Sequence, residues 1–172
     1  MMETIVLGGG CFWCTEAAFL VMDGVVGTKV GYAGGAKADP TYEEVCDGTT
    51  GHAEVMKLEY NPKVLKLEKI MDVFFTMHDP TSLNKQGMDY GTQYRSVVLY
   101  TADEQRDAIR KYIADCAKDY SRPIVTEVKK LDKFYPAEEH HQHYFEKNPF
   151  AGYCQFVVKP KVDKVKKEFN IG

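Results

Sequence analysis

The run Gly8-Gly9-Gly10-Cys11-Phe12-Trp13-Cys14-Thr15-Glu16 places a thiol just past a short apolar segment, Ile5-Val6-Leu7, and just ahead of an expected helix. Thiols at helix N-termini lose their proton more readily, and the thiolate is the nucleophile. Three glycines strip side-chain bulk from one flank of Cys11, and two large rings stand on the other. That is a poor way to build a core and a reasonable way to hold an exposed, low-pKa sulfur. Cys11 and Cys14 have the CxxC spacing, in which two thiols can cycle through a disulfide. The same residues also fit a single nucleophile, Cys11, with Phe12 and Trp13 shaping a pocket and Cys14 facing elsewhere. Spacing leaves both readings open.

Other polar groups acquire chemistry only if the fold carries them to Cys11. Glu54 interrupts His52-Ala53-Glu54-Val55, a surface position unless its strand turns it into the pocket. There, burial would keep it protonated and useful as an acid. Tyr42 and Tyr94 read as amphipathic core residues whose hydroxyls could bond a substrate oxygen. Asp89 caps a turn-rich stretch or orders polar groups at the pocket. Cys46 and Cys116 read as structural thiols and make no compact second pair for a zinc site. Cys154, in Gly152-Tyr153-Cys154, falls in a segment expected to be mobile enough to meet another thiol. His140, His141 and His143 crowd together without the spacing of a helical zinc pair, so no metal is expected. The glycines at 8, 9 and 10 make no dinucleotide fingerprint.

The elements that must position these groups can be read from pattern. Strands are expected at Thr4 to Leu7, Val25 to Tyr32, His52 to Tyr60 with an irregularity near Lys57, Arg95 to Tyr100, and Val125 to Leu131. Helices are expected at Cys14 to Met22, Thr41 to Cys46, Leu65 to Met77, Thr101 to about Lys118 with a Thr101–Glu104 capping box, and Glu138 to Phe145. Strand-helix-strand-strand-helix-strand, the order up to Tyr100, permits a ferredoxin-like split arrangement with helices on one sheet, an α+β domain. Lys159 to Gly172 reads as a charged, irregular C-terminal tail outside a catalytic domain of residues 1–158.

The 172 residues suffice for one domain with a sizeable core. A formal net charge of -3 gives nucleic acid no purchase as a partner. No stretch approaches membrane-spanning length, and the N-terminus has no secretory pattern. Five cysteines, an odd number without such a signal, point to reactive thiols in a reducing, cytoplasmic compartment. A monomer is expected.

Taken together, the motifs resemble the peptide methionine-S-sulfoxide reductases of the A type. The resemblance runs through Gly10-Cys11-Phe12-Trp13, Tyr32-Ala33-Gly34-Gly35, Thr41-Tyr42-Glu43-Glu44-Val45-Cys46 and Thr50-Gly51-His52-Ala53-Glu54-Val55. It continues in His78-Asp79-Pro80, Gly91-Thr92-Gln93-Tyr94-Arg95-Ser96, His141-Gln142 with Tyr144, Asn148-Pro149 and Gly152-Tyr153-Cys154. It implies a two-layer α/β roll and reduction of the S epimer of methionine sulfoxide, in proteins or free. By the same resemblance Cys11 attacks the sulfoxide sulfur, and Glu54 protonates its oxygen with help from Tyr42 and Tyr94. Phe12 and Trp13 enclose the methyl group, and Asp89 orients the polar side of the site through water. Cys154 resolves the sulfenic acid into a disulfide, which a thioredoxin-like or other dithiol donor reduces, with no bound cofactor. Many relatives carry glycine at the position of Cys14 and a further cysteine near the C-terminus. This chain has Cys14, an alternative resolver, and nothing beyond Cys154. A general dithiol oxidoreductase using Cys11 and Cys14, or a noncatalytic peptide-binding protein, leaves Glu54, Tyr42 and Tyr94 without a joint role.

Overall fold

Ile5 and Leu7 point one way from their strand and Val6 the other, and all three are fully buried. The sheet they belong to is therefore covered on both faces. The computed structural model describes residues 1–172. Its elements run β1 (Glu3–Gly8), α1 (Phe12–Leu20), β2 (Val25–Ala33), α2 (Tyr42–Cys46), β3 (Ala53–Tyr60) and α3 (Leu67–Met77). A small hairpin of β4 (Lys85–Gln86) and β5 (Asp89–Tyr90) precedes β6 (Val97–Tyr100) and α4 (Asp103–Cys116). Then come β7 (Glu127–Lys130), β8 (Phe134–Pro136), α5 (Tyr144–Lys147) and α6 (Lys159–Glu168).

The main sheet has the order β7-β6-β1-β3-β2-β8. Its inner four strands, β6-β1-β3-β2, pair antiparallel throughout, with α1 and α3 as the crossovers. This is the split β-α-β-β-α-β arrangement expected from the element order. β7 adds in parallel to β6, and β8 antiparallel to β2. One face carries the large core, in which Ile5, Leu7, Met56 and Leu58 meet Phe19, Phe74 and Val165 from α1, α3 and α6. The other face holds a small cluster of Val6, Ala33, Ala53, Val55, Val97 and Leu99, with Leu131 and Phe134 packed over it.

Several expectations are corrected. α1 begins at Phe12 rather than Cys14, which makes Cys11 its N-cap residue. β3 is regular at Lys57, which pairs with Val6 on one side and Lys29 on the other; the irregularity lies in β2, between Val25 and Gly27. The Thr101–Glu104 box does not form. Instead, the Thr101 hydroxyl and the Gln105 amide both donate to the Thr4 carbonyl, at 2.6 and 3.0 Å, tying α4 to β1. A capping box does close α2, between Thr41 and Glu44. The helix expected over Glu138 to Phe145 is broken at His143, which adopts a left-handed conformation with φ 53°.

The largest correction is at the C-terminus. Residues 159–168 are helix rather than irregular tail, entered through a wide π-type turn over Cys154–Val158. Val158, Val162 and Val165 recur at helical spacing and bury against the core, while Lys159 and Lys164 face water. Val165→Ala removes two methyl groups from that contact. At ~0.8 kcal/mol per methylene plus a cavity term, the expected loss is about 2 kcal/mol. Thermal denaturation should read it as a Tm lowered by roughly 4–8 °C; a solvated tail would show no change.

Candidate active site

Between β1 and α1 the chain turns within three residues. Gly10 sits at φ +92°, a region open to glycine at no steric cost, and its N–H donates to the Tyr94 carbonyl at 3.2 Å. A Cβ on Gly9 would lie 2.7 Å from the His78 ring, so bulk is excluded there by packing. The turn delivers Cys11 to the head of α1. The N–H of Phe12, one of the first-turn donors with no partner inside the helix, donates to Glu54 Oε1 at 3.2 Å. β3 thus brings Glu54 beside the Cys11 motif, and the side chain is only 2% exposed. Burial, with the charges of Asp89 and Cys14 adding and the Phe12 hydrogen bond opposing, pushes its carboxyl up to about 8. At neutral pH it is mostly protonated, a buried acid rather than a surface carboxylate.

Cys11 itself departs from expectation. Its thiol is buried, and desolvation, reinforced by the hydrogen bond with Cys14 and the charge of Glu54, raises it well above the ordinary thiol value. A helix N-terminus contributes roughly 0.3–1 kcal/mol, too little to offset removing a thiolate from water. The resting nucleophile is a thiol. Cys14 is fully buried, and its interaction with the Cys11 thiol, helped by Lys161 and Tyr153 against the effect of burial, lowers it below the ordinary thiol value. Cys154, expected in a mobile segment, is fully buried where the charge of Cys14 bears on it. Cys14 therefore bears on both of the other thiols.

Phenols complete the group. Tyr42 is half-buried, and burial, the neighbouring Cys46 thiol and the charge of Glu54 hold its hydroxyl as a phenol. Tyr94 is held likewise, by burial and by the charges of Glu54, Asp89 and Cys11. Asp89, on β5, accepts a hydrogen bond directly from the Tyr153 hydroxyl at 2.6 Å. The structure thus brings together Cys11, Cys14, Glu54, Tyr42, Tyr94, Asp89 and Cys154, which the sequence had singled out separately.

Phe12 is fully buried, its ring centroid 5.7 Å from that of Tyr32. Trp13 is held on three sides. Tyr144 stacks on it at 3.7 Å and 6°, Tyr153 meets it edge-on at 5.7 Å, and its indole N–H donates to His141 Nδ1 at 3.3 Å. That bond assigns the His141 proton to Nε2. The sequence carries His141, Tyr144 and Tyr153 in motifs that give them no place at the site. Their signal was an aromatic cluster indistinguishable from core until the fold gathers it. Beside the site runs a groove of about 540 Å³ lined by His78, Gln86, Met88, Asp89, Phe156 and Lys161. No three His, Cys, Asp or Glu side chains converge as metal ligands.

A model of the family described as peptide methionine sulfoxide reductase matches residues 3–171. The chain belongs to that family. It is 54% identical over 171 residues to the peptide methionine sulfoxide reductase MsrA of Natronomonas pharaonis, covering 98% of this chain and 96% of the relative. Among solved structures it resembles reduced Mxr1 from Saccharomyces cerevisiae, with a TM-score of 0.85, 40% identity and 89% of each chain covered. It also matches Mxr1 in complex with Trx2, at a TM-score of 0.60 and 29% identity, covering 83% of this chain and 84% of that one. Membership makes the chain an oxidoreductase acting on oxidised methionine through cysteine chemistry. The α+β fold with its helix-covered sheet agrees with this family's solved members.

Proposed function

We propose that this peptide-methionine (S)-S-oxide reductase works through Cys11 as nucleophile and Glu54 as acid, and that the protonated, buried carboxyl of Glu54 carries the reading. A sulfoxide pairs an electrophilic sulfur with a basic oxygen. Sulfur of Cys11 attacks sulfur of the substrate as Glu54 gives its proton to the oxygen, and the Cys11 proton replenishes Glu54. The oxygen passes to Cys11, leaving methionine, reduced by two electrons, and a sulfenic acid on Cys11. Tyr42 and Tyr94, kept as phenols, supply further donors to the oxygen as charge develops there. Phe12 and Trp13 face the methyl group. Tetrahedral sulfur then sets the epimer: exchanging oxygen and methyl would press a polar group on the rings and an apolar one on Glu54.

Water leaves when a second thiol condenses with the sulfenic acid. Cys154 is the resolver that the family resemblance implies. The electrostatic influence of Cys14 on both Cys11 and Cys154 supports a two-step version, in which Cys14 condenses with Cys11 and Cys154 then takes the disulfide by exchange. A thioredoxin-like dithiol returns the electrons, a role supported by the Mxr1–Trx2 complex. We place the reaction in the cytoplasm, as a monomer; the five unpaired thiols suit a reducing compartment. No helix is long and apolar enough to cross a membrane.

The test is turnover of separated S and R epimers of a methionine sulfoxide peptide, coupled to a dithiol donor. Selective reduction of the S epimer, abolished in Cys11→Ser, is the expected result. Equal use of both epimers, or a Cys11→Ser enzyme that still turns over, would remove the proposal.

A further inference from the structure

Glu16 is 1% exposed on α1, three residues after Trp13, and the chemistry above does not use it. A buried carboxylate needs its oxygens satisfied, and both are. Oε2 accepts from the Thr28 hydroxyl of β2 at 2.8 Å, and Oε1 accepts from the backbone N–H of His143 at 2.8 Å. His143 is the residue at φ 53°, ψ 38° that breaks the chain between the turn over Glu139–His141 and α5. A β-carbon makes this left-handed conformation unfavourable, so it persists where surroundings impose it. On the other side of the break, Gln142 accepts from Val30 N–H at 2.8 Å and donates to the Val30 carbonyl at 2.9 Å. The segment is therefore pinned to β2 by Gln142 and to α1 by Glu16. Its two ends are His141 and Tyr144, the groups that bond and stack on Trp13.

The space behind Trp13 gives this clamp a purpose. A cavity of about 200 Å³, lined by Trp13, Glu16, Ala17, Leu20, Phe145 and Val162, lies against the indole. Dense interiors keep side chains in place by leaving them nowhere to go; here the indole has somewhere to go. Without Glu16, relaxation of the His143 turn would free Tyr144, and the stacked pair could swing toward that space.

We propose that Glu16 is a positioning residue for methyl recognition, holding the left-handed turn at His143 so that Tyr144 and His141 keep Trp13 against the substrate. The inference rests on the assignment of Phe12 and Trp13 to the methyl group. Trp13 is the sole tryptophan of the chain, so its fluorescence reports this position alone.

The experiment compares Glu16→Ala and Glu16→Gln on a peptide bearing methionine-S-sulfoxide. In Glu16→Ala the KM is expected to rise about tenfold, the scale of losing one apolar contact at the pocket. Its kcat should stay within about threefold of wild type, because the lost interaction serves binding rather than the proton transfer. Trp13 emission should shift to the red and quench more readily with acrylamide. Glu16→Gln should restore both KM and emission, since its amide oxygen still accepts from His143 and its NH₂ turns to Thr28. An unchanged KM and emission in Glu16→Ala overturns the proposal, as does a Glu16→Gln enzyme as impaired as Glu16→Ala. Should Glu16→Ala not fold, Thr28→Val removes one anchor of the carboxylate, with an expected KM rise of about threefold; no change in KM or emission there also overturns it. A wild type with no S-epimer turnover defeats the reading beneath, whereas an active wild type matched by Glu16→Ala defeats only the clamp.

Discussion

Glu54→Gln lowers kcat/KM for methionine-S-sulfoxide by roughly 10²–10⁴, the contribution of a positioned general acid. The amide keeps the shape and can still accept from the Phe12 N–H, so the helix head stays in place and the proton alone is lost. The pH profile separates this from a structural effect. Burial raises the Glu54 carboxyl to about 8, so its acid form persists through neutrality. The Glu54-dependent rate should hold level below pH 8 and fall roughly tenfold per unit above it; the variant should lack that limb. Stability carries an independent signature. The folded state keeps a proton on Glu54 that the unfolded chain, at the ordinary value of 4.5, has already released. Between about pH 4.5 and 8 the wild type therefore loses stability as pH rises, and Glu54→Gln loses less over that window. Parallel pH profiles for the two proteins, in rate and in denaturation midpoint, would falsify the acid role.

The second large effect concerns recycling. Cys14→Ser and Cys154→Ser should each form one equivalent of methionine in a single turnover without donor, since both keep Cys11 and Glu54. Steady-state turnover with a thioredoxin-like donor should then fall by about tenfold or more in Cys14→Ser, because the sulfenic acid loses the thiol three residues along α1 and thiol-disulfide chemistry depends on access. Peptide mapping gives the order of events. Cys154→Ser should arrest as a Cys11–Cys14 disulfide, and wild type should accumulate Cys14–Cys154. A wild type that shows only Cys11–Cys154, with Cys14→Ser recycling at full rate, returns the task to Cys154 alone and leaves Cys14 as packing.

Residues unusual in type or order could be read directly from the chain. Cys11 between glycines and paired rings can hardly be core, and the split element order follows from where apolar alternation starts and stops. The ring of groups around Trp13 could not be read that way. Tyr144 and Tyr153 look like ordinary half-buried aromatics until α5 and the turn at Cys154 carry them to α1. The acidity of Cys11 is hidden for a related reason: local sequence reveals the helix N-terminus but not the burial that outweighs it. α6 was hidden by composition. Its lysines dominate any average over residues 159–168, while its stability comes from Val162 and Val165 on one narrow stripe. β8 is three residues long and ends in Pro136, below the length at which alternation carries information.

The burial of Cys154 under the wide turn of Cys154–Val158 has a kinetic corollary. A donor thiolate must reach a disulfide sulfur, and in the closed protein neither Cys14 nor Cys154 offers any surface. Electron delivery thus waits on a local opening of this turn, a fluctuation whose free energy lies below that of global unfolding. Such an opening sets a ceiling on the recycling rate that no increase in donor concentration can lift. Amide hydrogen exchange along residues 154–158 would measure that ceiling without any substrate present.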